Sequence, residues 1–169
     1  THPILRLLSS ELPKQGGKKA ALRTGIKNSR FETILLTDAD CAPASPNWLK
    51  HMQNLLQGDV SIGIAYSPYY KQKGLLNTFI RFETTYSAIQ YLSFAIYGNP
   101  YMAVGRNLIY RKSLFFQQGG FQSHAHVLSG DDDLFVNGAA SAQNTAVTIH
   151  PESFVFSQPK LDWRGYYNQ

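Results

Sequence analysis

Cysteine is nearly absent: Cys41 is the only one among 169 residues. A disulfide framework is therefore excluded, and so is a zinc centre built from cysteines. Charge is sparse at 16% of residues, while hydrophobic residues make up 43%. A chain with that balance is neither a disordered segment nor an acidic tail. Long apolar runs are missing too. The most apolar stretch, 75–97, carries Arg81, Glu83 and several Thr, Ser and Gln. It does not read as a membrane span of about 20 apolar residues. No internal repeat or low-complexity segment divides the chain, and its length suits one domain with a real core.

What is present is unevenly placed. The net charge is +5, which raises nucleic acid as a partner. Residues 1–30, however, carry Arg6, Lys14, Lys18, Lys19, Arg23, Lys27 and Arg30 against Glu11, a net +6, and the rest of the chain sums to −1. A basic excess that local points to an anionic ligand beside it, and no nucleic acid partner is expected.

Residues 2–8 read as a strand and 18–29 as a helix. The run 33–37 reads as a short buried strand that stops at Asp38-Ala39-Asp40. Ser45 and Pro46 predict a helix start, with Ser45 as cap and the helix running to 57. A strand is predicted at 60–66. Leu75, Phe79, Phe82, Tyr86, Ile89, Leu92 and Ile96 recur every three or four residues and predict a long amphipathic helix that Gly98-Asn99-Pro100 ends. A strand over 102–110, helices over 112–117 and 134–141, strands over 146–150 and 154–157, and a final helix from 161 follow. The alternation predicts an α/β fold with a largely parallel sheet, in which ligands sit at the carboxyl ends of strands.

Five of the eleven acids lie in two clusters, Asp38/Asp40 and Asp131/Asp132/Asp133. Crowded carboxylates repel unless compensated. A divalent cation held by one or two carboxylates and substrate phosphate oxygens is one solution. Solvent exposure, a turn or a helix cap are others. The second cluster precedes a predicted helix, where a carboxylate serves as cap or as general base. Two enzyme classes use Asp-x-Asp at a strand end. The dehalogenase-like phosphatases would make Asp38 a nucleophile, but their Thr/Val position is Ala42 here and their last Asp falls on Phe135. The other class comprises the nucleotide-sugar-dependent glycosyltransferases.

The chain resembles the family-2 glycosyltransferases with the GT-A fold. The resemblance is carried by Gly17-Lys18-Lys19-Ala20-Ala21-Leu22-Arg23-Thr24-Gly25-Ile26, then by Ile34-Leu35-Leu36-Thr37-Asp38-Ala39-Asp40. Gly98-Asn99-Pro100 and Gly105-Arg106-Asn107-Leu108-Ile109-Tyr110-Arg111-Lys112 follow in the same order, then Gly119-Gly120-Phe121 and Ser129-Gly130-Asp131-Asp132-Asp133-Leu134. The fold it implies is a GT-A-like, partly Rossmann-type mixed sheet flanked by helices. It also implies truncation at both ends: the first strand–helix–strand unit, which forms much of the nucleobase pocket, would be missing, and Gln169 would open a Gln-x-x-Arg-Trp-like motif. Residues 1–66 would form a donor and metal part, and 67–169 an acceptor-side part.

The resemblance implies roles as well. Asp40 would ligate Mg²⁺ or Mn²⁺ against the diphosphate, and Asp38 would contact metal, ribose or sugar. Asp132 would be the base for the acceptor hydroxyl, with Asp131 positioning it and Asp133 and Gln169 on the acceptor or diphosphate side. Lys18, Lys19, Arg106 and Asn107 would contact donor phosphate or sugar. Together they imply inverting transfer from a nucleoside-diphosphate sugar to a lipid-linked or polysaccharide hydroxyl, at the cytoplasmic face of a membrane carrying the parent protein. An inactive fragment that binds only metal and diphosphate is the non-enzymatic alternative. His124, His126 and His150 read as loop histidines more readily than as ligands, and Cys41 as a small buried residue. Of the aromatics on the 75–96 helix, Phe79, Phe82 and Tyr86 are expected in the core. Tyr91, Phe94, Trp163, Tyr166 and Tyr167 are candidates for a membrane interface.

Overall fold

The computed structural model describes residue 8, residues 17–120 and residues 131–167, with backbone alone at 17–19, 131 and 132. The strand expected over 2–8 therefore lies outside the described residues except for Leu8, as do His124, His126 and Gln169.

Six helices and six strands are described: α1 Gly17–Asn28, β1 Thr33–Leu36, β2 Cys41–Pro43, α2 Trp48–Gln53, β3 Ile62–Ala65, α3 Leu75–Ile96, β4 Leu108–Arg111, α4 Lys112–Gln117, α5 Asp131–Ala139, β5 Thr145–Thr148, β6 Val155–Ser157 and α6 Trp163–Tyr167. Single 3₁₀ turns at Gly105–Asn107 and Pro151–Ser153 lead into β4 and toward β6. The main sheet has the order β1-β4-β3-β5, and β2 pairs with β6 apart from it. Sequence alternation predicts a largely parallel sheet and the resemblance a mixed one; the described sheet is mixed, flanked by helices as the resemblance implies. β4 is antiparallel to both β1 and β3, and only β3 and β5 pair in parallel. The reason is that β4 returns between two strands that precede it. It is buried on both faces like a parallel strand, so its pattern carries no trace of direction.

Side chains alternate across this sheet as the two-residue period requires. Ile62, Ile64, Leu108 and Tyr110 point into one cluster with Ile26, Tyr91, Leu92, Phe115, Phe135 and Val136. Ala65 and Ile109 point to the other face, onto Met52, Leu55 and Trp48. Gly63 lies on that second face. A Cβ there would sit 2.6 Å from Ile109 and 2.8 Å from Leu55, so the approach of the Leu55 segment requires glycine.

Several predicted elements differ in detail; the strand expected over 102–110, for one, is confined to Leu108–Arg111, after the 3₁₀ turn. α2 runs from Trp48 to Gln53 rather than from Pro46 to 57: the Ser45 hydroxyl accepts from Asn47 N–H as a cap does and donates to Glu152, but the Ser45 carbonyl accepts from Trp48 N–H three residues on, so a tight turn precedes the helix. α3 has the predicted bounds but the opposite face inward. Ile80, Ala88, Tyr91, Leu92 and Ala95 are buried, while Phe79, Phe82 and Tyr86 are exposed. Small Ala88 and Ala95 let the helix approach the sheet where a Phe would hold it off. No described helix is long and apolar enough to cross a membrane.

Candidate active site

The strand directions define one edge. β1, β3 and β5 all end there and β4 begins there, with Leu36 opposite Leu108, Ile64 opposite Leu108, and Ala65 opposite Thr148. The segments after β1 and β3 and the turn before β4 are therefore neighbours, although they lie up to about seventy residues apart in sequence.

Asp38, Ala39 and Asp40 follow β1 directly and turn into β2, where Cys41 N–H donates to the Asp38 carbonyl at 3.1 Å. Asp38 is half-buried and Asp40 exposed. Ligand atoms of Asp38, Asp40 and Cys41 all lie within 4.8 Å of one another. Cys41 Sγ lies 3.0 Å from Ser157 Oγ and 3.6 Å from Asp40 Oδ1. Burial pushes its thiol above the usual value, against the hydrogen bond with Ser157, so the sulfur stays protonated at neutral pH. The effective donors are thus two carboxylates on a strand-fixed backbone. Hard oxygen donors that leave other positions open suit Mg²⁺ or Mn²⁺, which complete their shells with phosphate oxygens and water.

α1 runs back along β1. Ala21, Leu22, Gly25, Ile26 and Ser29 line a groove between them together with residues 33–39, Asp38 included. The first turn of α1, which carries Lys18 and Lys19, precedes the residues that share this groove with Asp38. The side chains of those two lysines are outside the described set.

The turn at Gly105–Asn107 divides its two polar residues. Arg106 donates from Nη2 to the Ser67 carbonyl at 3.1 Å, and its guanidinium carbon lies 4.6 Å from the centre of the Tyr69 ring. Asn107 is fully buried. Its Oδ1 accepts from Trp48 Nε1 at 3.0 Å, and its Nδ2 donates to the carbonyls of Tyr66 and Ser153, both at 2.9 Å. Asn107 was expected to touch the donor. Its amide instead holds four segments of protein together and faces no opening.

The second acidic cluster opens α5, three residues earlier than the predicted start, so all three aspartates lie in the first helical turn and complement the helix dipole. The side chains of Asp131 and Asp132 are outside the described set. Asp133 is half-buried; burial raises its pKa, and a backbone hydrogen bond with Ala103 opposes the rise. Ala103 lies two residues before the Gly105 turn, so this contact brings the helix start toward the strand edge that bears Asp38 and Asp40. Tyr91 is buried beside it. Desolvation pushes its phenol well up; the charge of Arg106 opposes this, while Tyr66 and Asp133 add to it.

Sequence reasoning passed over Ser67, which follows β3 as Asp38 follows β1; the strand-end rule finds both. It also assigned Tyr91 to a membrane face. His51, His150 and Glu152 form a second close group. Glu152 accepts from Asn47 and Ser45, both at 3.1 Å, and lies 3.0 Å from His51 Nε2. Hydrogen bonds from Asn47, His51 and Ser45 hold its pKa down to about 2. The His51 and His150 rings stack at 4.3 Å, and His150 Nδ1 accepts from Glu152 N–H at 3.3 Å. These atoms are engaged with one another, and they tie the loop before α2 to the turn before β6.

No curated protein matches the chain. A family model, Glycosyl transferase family 2, matches residues 9–117. That stretch takes in α1, β1 with its two aspartates, β3, α3 and all of β4 and α4. With well over half its length matched in this way, the chain belongs to glycosyl transferase family 2.

Proposed function

We propose that this glycosyltransferase moves a sugar from a nucleoside diphosphate to a saccharide or lipid-linked hydroxyl, with inversion and with Mg²⁺ or Mn²⁺ bound. The observation that carries the reading is the pair of carboxylates, Asp38 and Asp40, fixed at the end of β1 on the edge toward which the second acidic cluster is drawn. Asp40 and Asp38 would hold the cation. What a bound divalent cation supplies there is neutralisation of the charge that develops on the leaving diphosphate. The start of α1, with Lys18 and Lys19, would steady the phosphates through N–H groups and positive charge.

The acceptor oxygen attacks the anomeric carbon from the face opposite the diphosphate. The bond from that carbon to the diphosphate oxygen breaks, and the nucleoside diphosphate leaves with the electron pair. The hydroxyl proton passes to a carboxylate of the triplet, assigned to Asp132 with Asp131 positioning it. Arg106 would contribute from the β4 side. The family match concerns transferases and lends nothing to a phosphatase role for Asp38.

A membrane-surface setting is part of the proposal. Leu75, Phe79, Phe82, Tyr86, Ile89 and Ile96 form an exposed stripe along α3, and Trp163 lies 5.8 Å from Phe79. Aromatic rings with polar edges favour the lipid–water interface.

Calorimetric titration of UDP and of GDP, each with and without Mn²⁺, tests the reading. Binding of at least one nucleotide that needs Mn²⁺ and is lost in Asp40→Ala is expected. Metal-independent binding, or binding unchanged in Asp40→Ala, contradicts it.

A further inference from the structure

A cavity of about 140 Å³ lies between the end of β3, the middle of α3 and the turn before β4. Ser67, Glu83, Thr84, Ser87, Tyr91 and Arg106 line it. Two residues of this lining each carry a buried polar atom, the Ser67 hydroxyl and Arg106 Nε, that has no hydrogen-bond partner among the described residues. Ser67 is 1% exposed. Folded proteins leave few buried polar groups unpaired, because each one loses its water without replacement. Two such residues on one cavity therefore point to something that occupies it.

The chemistry of the lining narrows the occupant. Arg106 Nε–H can only donate, whereas the Ser67 hydroxyl donates or accepts. A ligand hydroxyl suits each of them, accepting from the first or exchanging a hydrogen bond with the second. Thr84 and Ser87 add two more hydroxyls, and Glu83 adds an acceptor that takes a 2.7 Å hydrogen bond from Tyr166. Glu83 argues against an anion: a phosphate would meet a carboxylate beside the single guanidinium. The volume also decides. Pockets that enclose whole small molecules run to about 300–1,000 Å³, so a nucleotide does not fit, whereas the hydroxyl edge of one sugar ring does. A lipid's alkyl chain would leave every one of these polar groups unpaired.

Position separates acceptor from donor. Asp38 and Asp40 follow β1, the edge strand, whereas the cavity lies beyond β4, at the end of β3 and under α3. On that side Tyr91 lines the cavity and shares a core cluster with Phe135 and Val136 of α5, so α5 packs on the cavity's side of the sheet.

We propose that this cavity is a saccharide subsite for the acceptor, in which Ser67, Arg106, Thr84 and Ser87 hold the hydroxyl edge of one sugar ring. Only the word acceptor rests on the transferase reading; the preference for a sugar's hydroxyls stands on the cavity itself.

Saturation-transfer NMR on the whole chain tests the subsite with four probes: the methyl glycosides of glucose, galactose, mannose and N-acetylglucosamine. At least one is expected to bind and to remain bound when UDP or GDP with Mn²⁺ is added. Ser67→Ala and Thr84→Val should each weaken it about tenfold, as loss of one hydrogen bond to the ligand does. Ser67→Ala should melt no lower than the parent chain, since it deletes a hydroxyl that has no partner among the described residues; a purely structural serine would not behave so. Asp40→Ala should leave glycoside binding intact. If no glycoside binds, or both variants bind it as before, the cavity holds water only and the proposal is overturned. If UDP-glucose, UDP-galactose, UDP-N-acetylglucosamine or GDP-mannose displaces the glycoside where the bare nucleotide does not, it belongs to the donor and the proposal is again overturned. Absence of Mn²⁺-dependent nucleotide binding with glycoside binding intact would instead remove the donor reading alone.

Discussion

Asn107 and Asp133 show what single residues do at this edge. Asn107 uses one carbonyl and two N–H donors to join Trp48, Tyr66 and Ser153 in a fully buried position. Asn107→Ala leaves one buried and two half-buried partners unpaired and should destabilise the fold by about 3 kcal/mol, read from the shift in urea midpoint. From sequence, a Gly-Arg-Asn turn reads as two ligand contacts, because nothing in the pattern tells an inward amide from an outward guanidinium. Asp38 and Asp40 were legible because the strand before them fixes where they lie. Asp133 and Glu152 respond to pH with opposite sign. The folded-state pKa of Glu152 is lowered from 4.5 to about 2, so its contribution is present above pH 4.5 and is lost as pH falls through that window. Asp133 has a raised pKa, so the folded state binds its proton more tightly and stability falls as pH rises through the window above 3.8. Asp133→Asn should therefore melt higher than the parent chain at neutral pH, and the gap should close below pH 3.8. Thermal melts at both pH values check it.

At the scale of elements, α3 is the instructive case. Its bounds were legible from a three-and-four-residue spacing, and its orientation was not. Periodicity shows that a helix has two faces without saying which meets the sheet. Here the sheet takes Ile80, Ala88, Tyr91, Leu92 and Ala95, and the aromatic stripe remains outside. If that stripe lies on a membrane surface, burying one Phe or Ile contributes about 1.5–3 kcal/mol. Phe82→Ser with Ile89→Ser should then lower binding to anionic phosphatidylglycerol vesicles by at least about tenfold in a sedimentation assay. Because both positions are exposed, the melting temperature should not change. Vesicle binding that is equal in the two chains would remove the membrane setting. α2 shows a different limit: Ser45 does accept the Asn47 N–H as a cap would, yet its carbonyl bonds to Trp48 N–H only three residues on, so a tight turn stands where a helix start is expected.

For the molecule as a whole, the alternation of helices and strands made the α/β class legible, and the strand-end rule located the first acidic cluster. The order β1-β4-β3-β5 and the reversed direction of β4 were not legible, because a four-residue apolar strand looks the same either way round. That reversal matters for function: it brings the Gly105 turn, and through Ala103 the start of α5, to the edge where Asp38 and Asp40 end β1. The described residues contain two groups able to gather a divalent cation, Asp38/Asp40/Cys41 and His51/His150/Glu152, and the account places the cation at the first. Paramagnetic broadening of backbone amide signals by substoichiometric Mn²⁺, with UDP or GDP present, distinguishes them directly. The account predicts that the signals of residues 37–41 broaden first and that this selectivity is lost in Asp40→Ala. Broadening centred on His51 and His150, with residues 37–41 unaffected, would contradict it.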